Sequence, residues 1–434
     1  MRVPRPSLAA VILAAFAGCA DSMPTSPLTR PDLTPLGSAA SVAEPATGPW
    51  ARIVQGETGP GSLYAIYIPR ADKMNGDAVF YAHGFRDVDL GDVPGTIDLR
   101  NQDDFYAIRD KLGEMGYTVA YSSFSENGFA VKDGAQRTHQ LRGLVAAELG
   151  GSPARSFLVG HSLGGAIGLD LAERYPDQYD GALLMCGMVG GSLVQTQYVG
   201  NVRALFDFFF PDAGMPGTVL TPPGRAITPL EVQAFFQARL TSTTPGVPQA
   251  TAAALLAIAS TKEAPLPYVP AAMIGTLVGS VAGALNFHSR GIQNLLDLTN
   301  GHSPFDNTAG YSLGTALFGG AQSLIDAANH PETGVPRYSM DPSAANYLER
   351  HFTPSGNLRI PVLALHNAWD PGVPAFHVAA LRAAAERAGA TENLLPRVIP
   401  FRGSLRHCDI NQADAVPAFQ ALVGWATTGN KPAN

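Results

Sequence analysis

From Ser62 onward, short apolar runs rich in β-branched and aromatic residues are each followed by a helical pattern. That alternation limits the chain more than any other feature. Strands that recur after helical crossovers lie parallel in one sheet with helices on both faces, so the expected class is α/β with a mostly parallel central sheet. Strands are expected at Ser62–Pro69, which alternates and reads as an early antiparallel strand, and at Asp77–His83, Tyr117–Phe124, Arg155–Gly160 and Tyr179–Gly187. Helices are expected at Asp103–Met115, at Lys132–Leu149 with Gly150 and Gly151 as a C-cap signal, and at Ala166–Tyr175, which stops before Pro176. The rhythm closes with a strand at Ile360–His366, a helix at Ala375–Ala388, a strand at Arg397–Phe401 and a helix at Ala413–Trp425.

Between Ser192 and Asn357 the rhythm fails for far longer than the usual βα connection of about two to six residues. The segment is apolar, punctuated by Pro and helix-prone, with helices expected at Leu205–Phe210, Leu230–Leu240, Ala250–Ile258, Ala271–Leu285 and Ile292–Leu298. The organisation that follows is a core made of 51–191 and 358–427 with a helical cap, 192–357, inserted before the next core strand. Ala271–Leu285 is shorter than the roughly 20 residues a bilayer crossing takes, so it is read as a cap helix.

Ahead of the core, a basic start at Met1–Arg5, an apolar run at Leu8–Phe16 and the small pair Ala17-Gly18 before Cys19 read as an export signal over 1–19. Cys19 is then a candidate lipidation site, with plain cleavage nearby as the alternative. Residues 20–50, rich in Pro, Ser and Thr, read as a disordered tether, and the chain as exported and bacterial. A net charge of -7 without a long basic run gives no footprint for nucleic acid, and any membrane contact is expected only through an N-terminal lipid. A neutral or weakly polar substrate fits this surface better.

The strongest chemical signal is Phe157-Leu-Val-Gly160-His-Ser162-Leu-Gly164-Gly165, a strand running into G-x-S-x-G and then into a helix. Glycines two before and two after the serine let the backbone make a sharp strand-to-helix turn that side chains would block. Such a turn exposes the Ser162 hydroxyl at the sheet edge and aims the N–H of Leu163 at a developing oxyanion. GHSLGG at Gly160–Gly165, together with HGF at His83–Phe85, resembles the α/β-hydrolase superfamily over nearly the whole ordered chain.

The resemblance implies an α/β-hydrolase fold, a second oxyanion-hole amide at Phe85, and a triad in the chain order Ser, acid, His. His83 would support the oxyanion loop. Asp370, in Asn-Ala-Trp-Asp-Pro-Gly-Val-Pro after the strand ending at His366, fits the acid. Asp341, Asp409 and Asp414 do not directly follow a core strand. His407, after the last strand, fits the base better than His351, His366 or His377, which fall before a strand, in a strand and in a helix. Serine at the elbow argues against a dehalogenase, which uses Asp there.

Cys408, next to that histidine, suggests a disulfide to Cys186 at the end of a core strand, with two buried free thiols as the alternative. The arrangement is similar to that of tannase and feruloyl-esterase relatives, although in those enzymes the partner cysteine sits beside the nucleophile, where this chain has His161. His288, His302 and Asp306 match no standard ligand spacing, so neither a metal nor an organic cofactor is expected.

Phe206, Phe208, Phe209, Phe210, Phe235 and Phe236 make the cap aromatic, which favours a hydrophobic ester, small or polymeric, as substrate. The expected activity is carboxylic ester hydrolysis through an acyl-enzyme. A prolyl-type peptidase or thioesterase on the same triad is the enzymatic alternative. A lipoprotein that only binds a hydrophobic ligand is the alternative from another class.

Overall fold

A computed structural model describes residues 42–44, 48–88 and 103–433. The expected export signal, Cys19 and residues 20–41 lie outside the described residues.

Among the described residues nine strands form one sheet: β1 Val42–Glu44, β2 Trp50–Glu57, β3 Leu63–Pro69, β4 Ala78–Ala82, β5 Thr118–Ser122, β6 Ser156–His161, β7 Gly181–Met185, β8 Val362–Asn367 and β9 Leu394–Ile399. Their order is β1-β2-β3-β5-β4-β6-β7-β8-β9; the pairs from β1 to β5 are antiparallel and all the rest parallel. This is the α/β-hydrolase fold. The central strands are buried on both faces, which is why they read as apolar runs without polar alternation. In β4, Ala78, Phe80 and Ala82 enter one core, while Val79 and Tyr81 enter the other.

Two layers of helices cover the sheet. α2 (Val131–Leu149), α3 (Leu163–Arg174) and α10 (Phe376–Ala388) bury Leu141, Ile167 and Leu381 on one face. α1 (Asp103–Glu114) and α11 (Gln412–Thr428) bury Leu112 and Leu422 on the other.

The inserted segment carries α4 (Ser192–Phe209), α5 (Pro229–Leu240), α6 (Val247–Ser260), α7 (Met273–Leu298), α8 (Ala321–Ala328) and α9 (Pro342–Arg350) around a core of its own. It leaves and rejoins the sheet at one clasp. There Ser192 N–H donates to Phe352 O (2.9 Å), Ser192 Oγ to His351 O (2.8 Å), and Phe352 N–H back to Ser192 Oγ (3.0 Å).

Three expectations need correction. The tether reading of 20–50 fails at its end, because β1 satisfies the outer edge of β2, pairing Val42 with Gln55 and Glu44 with Ile53. Trp50, also inside that stretch, is buried, its Nε1 donating to Asp110 Oδ1 (3.0 Å) and its ring 5.4 Å from Tyr67. The cap helices expected at Ala271–Leu285 and Ile292–Leu298 are one helix, α7, because Asn286 and Ser289 carry their polar groups to Ile227 and need no break in the chain. At 26 residues α7 is also long enough to cross a bilayer by length and composition, yet half of its apolar window is buried within the protein. Finally, the helix expected at Leu205–Phe210 begins thirteen residues earlier, at Ser192, directly after Gly191 (φ 105°).

Asp170 in α3 is buried, with Arg174 one turn on as its ion-pair partner. Burial pushes its carboxyl up to about 6, and the Arg174 charge only partly offsets that. A carboxyl raised in the folded state stabilises the fold fully below its unfolded value near 4, and that contribution is lost as pH rises through about 6. Asp170→Asn is therefore expected to match the wild type near pH 4 and to exceed it at pH 7.5 by ~1–3 kcal/mol. Urea denaturation at both pH values checks this; a gain that is larger at pH 4 would contradict it.

Candidate active site

Sterics dictate the turn after β6. A Cβ on Gly160 would lie 2.1 Å from Gly164 O, one on Gly164 2.0 Å from Ala82 O, and one on Gly165 2.5 Å from Gly187 Cα. Only glycine lets these backbones approach so closely. Between them Ser162 is held at φ 54°, a conformation costing about 1–3 kcal/mol, which neighbouring hydrogen bonds fix: Ser162 N–H to Met185 O (3.0 Å) and Met188 N–H to Ser162 O (3.1 Å).

The structure brings Ser162, Asp370 and His407 together from three separate loops at the C-terminal edge of the sheet. His407 Nε2 is 2.8 Å from Ser162 Oγ, and His407 Nδ1 is 2.8 and 2.9 Å from Asp370 Oδ1 and Oδ2. Asp370 is fully buried and takes amide N–H bonds from Gly372 and Val373 on Oδ1 and from Cys408 on Oδ2. Burial alone would raise its carboxyl; the His407 charge and hydrogen bond, with His366 and the Cys408 amide, outweigh that and hold it below the ordinary value. The acid is thus fixed as a carboxylate that orients Nδ1–H, leaving Nε2 to face the hydroxyl.

The loop after β4 reaches the same place. A Cβ on Gly84 would sit 3.2 Å from Ser162 Cβ, so this backbone runs directly against the elbow. His83 is buried, stacked on Phe124 at 3.8 Å, with Nδ1 2.7 Å from Gly84 O. Burial, with the Arg86 charge, holds it well below the ordinary imidazole value, so it supports the loop as a neutral ring. Leu163 N–H is the first amide of α3, and among the described residues neither it nor Phe85 N–H donates to another group.

Cys186 and Cys408 are joined in a disulfide, Cα–Cα 5.3 Å, closing a loop of 222 residues. The bond ties the residue after His407 to the turn that hydrogen-bonds the elbow. A Cys186→Ala/Cys408→Ala variant is expected to lose about 3–5 kcal/mol, since a closed loop of this length removes much unfolded-chain entropy. The check is urea midpoint and slope for both proteins, with intact mass before and after reduction to count the thiols.

Sequence reasoning missed a second buried chain of contacts behind the acid. Gly190 N–H donates to His377 Nδ1 (3.1 Å), His377 Nε2–H to Gln195 Oε1 (2.8 Å), and Gln195 Nε2–H to Gly372 O (2.8 Å). Burial, with the His366 charge, lowers His377 to about 3, so it stays neutral and its tautomer is set by these partners. Gln195 and His377 lie 182 residues apart, and nothing in either local sequence points to the other.

The cap makes a further link: Arg290 of α7 bonds Asp87 in the loop that carries Phe85, with its guanidinium 5.4 Å from the Phe85 ring and 5.6 Å from Phe287. Phe287 in turn stands edge-on to His407 at 5.3 Å. The cap phenylalanines singled out from sequence are placed differently. Phe206, Phe210 and Phe236 pack on one another in the cap core, whereas Phe85, Phe129, Phe287 and Phe305 line the cavity next to the triad. His288, His302 and Asp306 also go separate ways, to Val219 O, to Asp341, and to the Thr308 and Met340 amides.

Residues 132–264 match the family model described as serine aminopeptidase, S33. That span covers the elbow but neither Asp370 nor His407. No curated protein matches the chain. Among solved structures, an esterase from Aspergillus oryzae shares 14% identity over 88% of this chain and 80% of its own, with a TM-score of 0.48. The rice cell wall degrading esterase LipA from Xanthomonas oryzae shares 11% over 88% and 90% (TM-score 0.41). Feruloyl esterase B from Aspergillus oryzae shares 12% over 88% and 82% (TM-score 0.41).

Proposed function

We propose that this α/β-hydrolase cleaves carboxylic esters through an acyl-enzyme on Ser162. The observation that carries the reading is the unbroken line from Ser162 Oγ through the His407 ring to a buried Asp370 carboxylate. A free hydroxyl is a weak nucleophile, so His407 Nε2 takes the Ser162 proton as Oγ attacks the carbonyl carbon. The oxyanion so formed is met by the Phe85 and Leu163 amides, each donor contributing about 3 kcal/mol in comparable sites. Collapse expels the alcohol, which receives the proton from His407. Water, activated by the same imidazole, then releases the acid and restores Ser162.

The test is labelling by a fluorophosphonate, in which Ser162 Oγ bonds phosphorus and fluoride leaves, followed by mass mapping of the labelled peptide. Hydrolysis of p-nitrophenyl esters is measured alongside. The expected result is a single adduct on the Ser162 peptide and ester turnover. A chain that neither labels nor turns over would instead favour a protein that only holds a hydrophobic ligand.

The second reading is a prolyl-type peptidase, favoured by the S33 description of the matched family model. Aminoacyl- and prolyl-amide substrates in the same assay separate the two, since a peptidase would turn over the amides at least as well as the esters. The reading as an exported protein, with or without a lipid on Cys19, rests on the N-terminal pattern alone; intact-mass analysis of the protein recovered from membrane and soluble fractions tests it.

A further inference from the structure

α7 contains glycines of two kinds. Gly279 and Gly283 are required by packing: a Cβ at 279 would lie 3.1 Å from Trp369 and one at 283 2.4 Å from Pro371. Gly291 is also buried, eight residues beyond Gly283 in the same helix, yet a Cβ there would meet nothing within 4 Å. Glycine inside a helix costs roughly 0.5–1 kcal/mol relative to alanine, so no steric or helical reason keeps a glycine at 291. What lies beside it is a cavity of about 40 Å³, several times the roughly 10–15 Å³ that one water needs.

The cavity is walled by neighbours of Ser162, Asp370 and His407. Its walls include Phe85, whose amide faces the proposed oxyanion, and Phe287, which abuts His407, and it continues between α4 and α7 past Val199, Ile292 and Leu295. The polar side chains on its wall are bonded to the protein, Gln195 to Gly372 and His377, Thr196 to Ser192 O and His288 Nε2 to Val219 O, while the buried His288 Nδ1 has no partner among the described residues and, with Nε2–H donating, is an acceptor. A ligand group in this space finds mostly apolar surface and no free side-chain donor.

We infer that this cavity takes the apolar acyl chain of the ester and that Gly291 sets the length of chain accepted. The inference rests on the ester-hydrolase reading above. The acyl half is assigned because Phe85, whose amide would receive the carbonyl oxygen, stands on the cavity wall, while the alcohol departs by way of His407, which does not line it. Each methylene housed in such a site is worth about 10–200-fold in discrimination.

The experiment compares wild type, Gly291→Leu and Val199→Ala on p-nitrophenyl acetate, butyrate, hexanoate and octanoate, and on acetate esters of ethanol through octanol. Gly291→Leu is expected to lower the octanoate-to-acetate ratio of kcat/KM by ~10–200-fold, and Val199→Ala to move the optimum to longer acyl chains. Gly291→Ala, which needs no rearrangement, is expected to leave Tm unchanged or raise it by a few degrees, whereas Gly283→Ala lowers it.

An acyl ratio that stays constant in both variants would overturn the assignment. So would a shift confined to the alcohol series. Should Gly291→Leu fail to fold, Val199→Ala alone decides by the direction of its shift. A wild type inert to esters and to fluorophosphonate would remove the hydrolase reading and this one with it, an outcome distinct from an active enzyme whose chain preference ignores position 291.

Discussion

Ser162→Ala is expected to remove fluorophosphonate labelling completely and to reduce kcat on p-nitrophenyl butyrate by ~10^4-fold or more, the range seen when a serine nucleophile is deleted elsewhere. The size follows from what remains. The amides of Phe85 and Leu163 still face the carbonyl, but no covalent intermediate forms, and water must attack without having been placed. Ser162 lies on a turn fixed by its backbone bonds to Met185 and Met188, none of which uses its hydroxyl, so the variant should melt close to the wild type. Turnover that survives in a folded Ser162→Ala protein would mean that another residue carries the reaction.

For Asp370→Asn the expected result is a kcat lower by about 10^4-fold with substrate binding little changed, for a reason visible in the hydrogen bonds. Oδ1 accepts from Gly372 and Val373 as well as His407, so the asparagine oxygen is held on that side. Its NH₂ then takes the place of Oδ2, against the Cys408 amide and the His407 ring. Nδ1 then faces a donor at the Oδ2 position beside the acceptor at Oδ1, so the tautomer that accepts at Nδ1 and carries its proton on Nε2, where it no longer accepts one from Ser162, gains weight. Losing the Cys408 bond costs a further ~1–3 kcal/mol of stability. The ¹⁵N chemical shifts of His407 report the tautomer directly. If Nδ1–H persists in the variant, the account fails.

The catalytic candidates were legible because each stands on a turn whose chemistry is local. Gly160, Gly164 and Gly165 announce a backbone that runs too close to others for a side chain, and Asp370 and His407 each follow an apolar strand. What sequence did not reveal was held in contacts between distant residues. His377 looks like any helical histidine until Gln195 is placed against it. Gly291 looks like Gly283 until one asks what a methyl group would touch. β2 escaped notice because Arg52, Gln55 and Gly56 interrupt its apolar residues, and an edge-side strand needs only part of its surface buried. The phenylalanines of the cap misled for the opposite reason. Their number marked a hydrophobic interior, but composition does not distinguish a core that is sealed from one that receives a ligand.

The clasp at Ser192 and Phe352 separates the length of the insertion from the geometry of the sheet. Three hydrogen bonds bring the two ends of a 160-residue excursion to a single point on the rim of the sheet, so the strands on either side, β7 and β8, pair as they would if joined by a short loop. The length of the excursion is thereby uncoupled from the pairing of the strands, and what ties it to the site is a small set of residues: Gln195 on Gly372 O, Phe287 against His407 and Arg290 on Asp87. An excursion shortened within its far helices, with Ser192, Gln195, Phe287, Arg290 and Phe352 kept, would leave both the clasp and those ties in place.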